Sequence, residues 1–293
     1  MKRYVILNLQ FDTRATILGS PIKEEWDAVV KETHHKNRGA VISSLAQQYG
    51  TANLDPKLAN LLDLGPLPMS ILAFHNRFLP QVRDAFVMGA YYPSLTGAFA
   101  LAERILAHLV IRLREHYRTT PQYKYIYKKS SFSDWNEPID VLEAWRVLLP
   151  DAVVKLRQLK DLRWRAIHFD PALDHDDRTP ALEAIHLLSD VIALQFSVTD
   201  RDGRFTPRPW FIPNTPGFRV IRKESENNPF IAEIFLPNCG YAGPYFRIGR
   251  DADGWPIVVE ENEDDSRDVT DDDWAAMCRS HQSGAAVPPS RTA

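Results

Sequence analysis

Residues 92–117, "YPSLTGAFALAERILAHLVIRLREHY", decide the fold. Leu95, Phe99, Ala102, Leu106, Leu109 and Leu113 recur three and four residues apart. On an α-helix that spacing makes one apolar stripe along about six turns. Ser94 or Thr96 can cap its start, because a short hydroxyl side chain can accept from a free N–H of the first turn. Three more helices follow. "NEPIDVLEAWRVL" (136–148) has Asn136 as cap and Pro138 in its first turn. "PDAVVKLRQLKDLRWRAIH" (150–168) opens on Pro150 and Asp151 and is stopped by Pro171. "TPALEAIHLLSDVIALQFS" (179–197) offers Thr179 as cap, Pro180 at the first position and Glu183 near the capping-box position. The polar, tyrosine-rich residues 118–134 are a long connection and the other two connections are short. Residues 93–198 therefore read as an antiparallel four-helix bundle.

Outside the bundle the pattern weakens. Residues 1–90 read as an N-terminal α/β extension. It has one strand, "YVILNLQF" (4–11), a helical segment near 22–49, a break at Gly65, Pro66 and Pro68, and a short helix over 71–88. Beyond Phe196, proline and glycine become dense. The short apolar runs "FRVIRK", "FIAEIFL", "YFRIG" and "WPIVVE" predict a small antiparallel β-rich domain over 205–260, with "GRDADGW" as a hairpin turn. Residues 261–293 are an acidic segment and a tail, "SGAAVPPSRTA", of disordered composition. The fold class is mainly α.

Hydrophobic residues make up 44% and charged residues 25%, which is ordinary globular composition. The net charge of −3 provides no global field for a polyanion, so any nucleic-acid contact requires a local patch. Cys239 and Cys278 stand far apart with no CxxC pair, which argues against a disulfide scaffold and a cysteine zinc site. The N-terminal apolar run is shorter than a signal-peptide core, and no uncharged apolar stretch approaches the ~20 residues that span a bilayer. These observations predict a cytoplasmic chain without a membrane partner. Phosphate-binding glycine loops and a GxSxG elbow are missing, and no cofactor is expected.

The third helix of the bundle carries an anomaly. Ala152, Val153, Leu156, Leu159, Ala166 and Ile167 define its apolar face, and Arg163 falls near the middle of that face, seven residues after Leu156. A buried guanidinium is costly unless it is paired or solvated. Arg163 therefore needs a carboxylate such as Glu103 or Glu143, a water-filled groove, or a partner subunit. His168 follows five residues later, about 140° around an ideal helix. The stop at Pro171 lets the backbone turn there and return the imidazole toward the arginine.

Arg163-Trp-Arg-Ala-Ile-His168, at the end of the third bundle helix, resembles the R-x4–6-H motif of the HEPN superfamily, and residues 95–113 resemble that family's first helix. The resemblance covers residues 93–198. It implies a homodimer whose two motifs face each other, and in many members a metal-independent ribonuclease. His168 would then be the general acid/base on the RNA 2′-hydroxyl or the leaving 5′-oxygen, and Arg163 would stabilise the phosphorane charge. The residue types suit those roles: imidazole titrates near neutral pH, and guanidinium forks onto phosphate oxygens. Trp164 departs from the polar residue common at its position and can stack on a base. Other family members are non-catalytic dimerisation or interaction modules, so a protein partner is the competing reading.

Several residues support the motif or offer RNA contacts. Glu103 can orient Arg163, and Lys160 and Arg165 can widen a phosphate patch. "YRTTPQYKYIYKKSSF" interleaves Tyr123 with Lys124, Lys128 and Lys129, the aromatic-plus-basic composition used on single-stranded RNA; a bundle loop with half-buried tyrosines reads the same way. His175 among the aspartates of 170–178 has no second histidine at ligand spacing, so no metal site is expected. Cys239 reads as part of a turn.

Overall fold

The computed structural model describes residues 3–5, 10–70, 73–167, 176–197, 220–221, 228–235, 241–243, 246–250 and 256–260. The chain divides into two compact units, Gln10–Arg204 and the pair of segments Met1–Leu9 with Phe205–Ala293.

The larger unit is mainly helical. Its elements are β2 (Gln10–Asp12), α1 (Arg14–Gly19), α2 (Ala28–Tyr49), α3 (Leu54–Leu64), β3 (Leu67–Ser70), α4 (Ala73–Val87), α5 (Tyr91–Leu113), α6 (Tyr123–Ile126), α7 (Asn136–Ala144), α8 (Pro150–Ile167) and α9 (Arg178–Phe196). All six stripe residues of α5 are buried, and so are Ala98, Leu101, Ile105 and Val110 on its other sides. A helix apolar nearly all round must be covered nearly all round. Here α4, α7 and α9 all pack on α5, and α8 packs on α7 and α9. Helix α5 with the turn after it, Tyr91–Tyr117, is the one described helix long and apolar enough to cross a membrane, and more than half of its apolar 18-residue window is buried.

Neither proposed cap of α5 acts as one. The Ser94 hydroxyl donates to the Val82 carbonyl of α4 at 2.8 Å, and Thr96 bonds back to the Tyr92 carbonyl at 3.0 Å. Gly97 lets α4 and α5 approach closely: a Cβ there would stand 3.1 Å from Val82 Cγ2. At α7, Asn136 is already helical and its N–H donates to Asp134 Oδ1 at 2.9 Å. At α9, Thr179 lies inside the helix, and the acceptor for its N–H is Asp176 Oδ1 at 3.1 Å.

Helix α7 stops at Ala144, four residues before the expected end. Arg146 takes a left-handed φ of 56°. The Val147 N–H reaches back to Leu142 O at 2.9 Å, and the Arg146 N–H to Glu143 O at 2.8 Å. This is a Schellman closure with arginine where glycine is usual, so the sequence carries no stop signal.

Residues 10–90 are not an extension apart from the bundle; they belong to the same unit. Asn60 of α3 is buried, its amide donates to Phe86 O at 3.1 Å, and its oxygen accepts from Arg178 Nε of α9 at 3.2 Å. Arg178 also pairs with Asp63. The expected single strand over 4–11 is two strands with different partners. β2 pairs antiparallel with β3, whereas β1 (Arg3–Val5) belongs to the smaller unit.

In the smaller unit β1 lies between β4 (Val220–Ile221) and β5 (Tyr241–Gly243), antiparallel to both. β6 (Phe246–Arg250) and β7 (Pro256–Glu260) pair antiparallel from Phe246↔Glu260 to Arg250↔Pro256. "FIAEIFL", expected as a strand, contains a π-helical turn over Ile231–Phe235. Phe230, Ile231 and Ile234 are buried, a spacing that suits a helical turn better than an alternating strand.

Candidate functional site

Helix α8 buries Ala152, Val153, Leu156, Leu159 and Leu162. Arg163 lies in its last two turns, and solvent reaches 29% of its side chain. The cost of a charge on that face is lowered by partial solvation and by two neighbours. Arg163 Nη2 stands 3.6 Å from Glu103 Oε2 of α5. Its guanidinium also lies over the Trp135 ring, 5.2 Å from the centroid. Trp135 is almost wholly buried, and its indole N–H donates to the same Glu103 oxygen at 3.2 Å.

Glu103, Trp135 and Arg163 thus form a closed triangle from three parts of the chain. An ion pair this exposed contributes about 0.2–1 kcal/mol, and a partly solvated guanidinium over a buried ring about 0.5–2 kcal/mol. These contacts orient the guanidinium without saturating it. At 3.6 Å the carboxylate contact is longer than a hydrogen bond. Among the described residues no hydrogen bond occupies the Arg163 N–H groups. Glu143, the other candidate partner, pairs instead with Arg157 at 2.7 Å.

The start of α7 gathers the flanking candidates. Trp135 touches Arg163, Asn136 Oδ1 accepts from Lys160 Nζ at 2.9 Å, and Glu137 pairs with Lys129 at 2.6 Å. The structure therefore brings Glu103, Lys129, Lys160 and Arg163 around residues 135–137. Lys160 also faces Asp161 at 3.2 Å, so both lysines are partly neutralised. Trp164 is 66% exposed and Arg165 is exposed beside it. His168 and His175 lie outside the described residues, as does Cys239.

The connection before α7 is anchored to the bundle. Ile126 and Phe132 are buried, Tyr117 stacks on Trp145 at 4.4 Å, and Arg114 donates to the carbonyl of Lys129 at 2.7 Å. Lys124, Tyr125, Tyr127 and Lys128 are left on the surface, with Lys128 Nζ over the Tyr127 ring at 5.2 Å. Tyr123 leans toward both Glu115 oxygens at 3.4 Å. Among the described residues no three histidine, cysteine, aspartate or glutamate side chains gather as metal ligands would.

No family model, curated protein or solved structure matches the chain. The chemistry of the site therefore rests on its own geometry. A partly exposed guanidinium held by a carboxylate and a ring face can fork onto phosphate or carboxylate oxygens. Sequence reasoning missed Trp135. Its signal was a lone tryptophan in the polar run "SSFSDWNEP", next to the start of a helix.

Proposed function

We propose that the chain is a HEPN-like, metal-independent endoribonuclease of defence or toxin type, acting in the cytoplasm as a homodimer. Residues 93–198 form its antiparallel four-helix bundle, and residues 205–260 a small β-rich domain. The reading is carried by the held but unsaturated Arg163 guanidinium, five residues before His168. In the reaction the RNA 2′-oxygen attacks phosphorus as its proton leaves to a base. The P–O5′ bond breaks, and the 5′-oxygen takes up a proton. The products are a 2′,3′-cyclic phosphate and a free 5′-hydroxyl, with no metal or co-reactant. His168 moves the proton and Arg163 meets the phosphorane charge.

A second reading, a non-catalytic dimerisation or docking module, is favoured by Trp164, a large aromatic side chain mostly in solvent beside Arg163. The test is cleavage of a mixed RNA in EDTA by wild type, His168→Ala and Arg163→Gln, at matched dimer fraction. Wild-type cleavage leaving cyclic-phosphate ends is expected, with a loss of about 10²–10⁴-fold in His168→Ala. An inert wild-type dimer overturns the ribonuclease and leaves the docking module.

A further inference from the structure

Between α1, α2, α3, β3 and α4 lies a cavity of about 380 Å³, within the ~300–1,000 Å³ range of small-molecule sites. Its lining comes wholly from the 10–90 segment. Asp12, Arg14, Gln48, Tyr49, Arg83 and Asp84 supply its polar lining. Leu61, Leu67, Pro80 and Val87 supply an apolar wall.

The polar groups are fixed by one another. Arg14 clasps Asp12 through Nε at 3.0 Å and Nη2 at 2.8 Å, and its Nη1 donates to Gln48 Oε1 at 2.6 Å. Burial pushes the Asp12 carboxyl up, but the hydrogen bonds and charge of Arg14 outweigh it and hold the group below the usual aspartate value. The Tyr49 hydroxyl donates to Asp84 Oδ1, and burial together with that bond raises the phenol far above its ordinary value, so it stays a donor. Gln48 approaches the same oxygen at 3.5 Å. Arg83 is buried, with its guanidinium on the Leu64 and Gly65 carbonyls at the end of α3.

One polar group lining the cavity is left over. Among the described residues nothing is hydrogen-bonded to Asp84 Oδ2. A carboxylate oxygen facing a cavity takes a donor, and a cationic one best. Two carboxylates and two guanidiniums make the lining neutral in sum. A phosphate would meet both aspartates, and a bare cation would meet both arginines. The complementary ligand carries both signs and an apolar part.

We propose that this cavity binds a small zwitterion, an α-amino acid with an apolar side chain. Its ammonium group lies on Asp84, its carboxylate on the arginine side, and its side chain on Leu61, Leu67, Pro80 and Val87. The site is separate from Arg163 and independent of ribonuclease activity.

The test titrates the full wild-type chain by calorimetry with the individual α-amino acids, their N-acetyl forms and their amides. Inorganic phosphate and nucleosides serve as comparison probes. At least one apolar amino acid is expected to bind, and either blocked form to bind at least about tenfold weaker. Asp84→Asn is expected to weaken the free amino acid about as much as N-acetylation does. The blocked ligands test the same contact on a chain whose folding is not in question. Absence of binding across the amino acids overturns the proposal. So does equal affinity for free and N-acetylated forms, or preferential binding of phosphate or a nucleoside.

Discussion

Substituting Trp135 with phenylalanine removes the donor that fixes Glu103 and part of the ring under Arg163, while leaving the core apolar. Two effects set the cost. A hydrogen bond to a charged acceptor contributes about 1.5–3 kcal/mol when buried. Glu103 is 39% exposed, so water can replace the lost donor and about 1 kcal/mol is the better figure. Going from indole to phenyl also removes three heavy atoms from a site that is 1% exposed. At about 0.8 kcal/mol per buried carbon that adds about 2 kcal/mol. The expected loss is about 3 kcal/mol in urea unfolding followed by circular dichroism. The informative quantity is the coupling with Glu103→Ala. If the indole–carboxylate bond stabilises the fold as the geometry indicates, the double variant is less destabilised than the sum of the singles by about 1 kcal/mol. Additivity within about 0.3 kcal/mol refutes the reasoning and makes Trp135 a packing residue only.

Two further perturbations test the same physical logic. Gln195, buried on α9, accepts from the Leu149 N–H at 2.9 Å and donates to Val147 O at 3.0 Å, satisfying the turn between α7 and α8. Gln195→Leu leaves one buried and one part-buried backbone group without their partner and should cost about 2–3 kcal/mol, read as a shift in the urea midpoint; a loss below about 1 kcal/mol would mean that the turn has other partners. Burial, reinforced by Arg112, pushes His108 below the ordinary histidine value of 6.5. The folded chain then favours neutral His108 while the unfolded chain takes up its proton near 6.5. Stability from this group is full above that pH and falls as the pH drops toward the lowered folded value. His108→Gln should flatten this limb in midpoints measured across the window, and an unchanged slope would assign the acid sensitivity elsewhere.

Periodicity alone located the buried stripe of α5, because a six-turn run of leucine, phenylalanine and alanine at three- and four-residue spacing has one low-energy use in water. It also placed α8 and α9 and the inward aspect of Arg163. Glu103 was legible as a possible partner because it sits at the edge of that stripe. The closure of the α5–Trp135–α8 triangle was not legible. The contact joins residues 32 and 60 positions from Glu103, and no local spacing encodes such a meeting. The caps were misassigned for a related reason. Ser94, Asn136 and Thr179 have the right side chains, but Ser94 found a carbonyl across a helix interface, and Asp134 and Asp176 took the acceptor roles at the other two starts.

What the sequence determined is therefore the amphipathic pattern: which residues must leave water, where a charge interrupts them, and that the chain is mainly helical. Tertiary structure alone decided which surfaces meet. It made residues 10–90 part of the helical unit, set β1 between β4 and β5, and split "YVILNLQF" between two sheets. It also enclosed Asp12, Arg14, Asp84 and Tyr49 around one cavity. Burial is a demand that each segment carries by itself. Pairing of polar groups is a geometric match among distant segments, and it exists only once the core has brought them together.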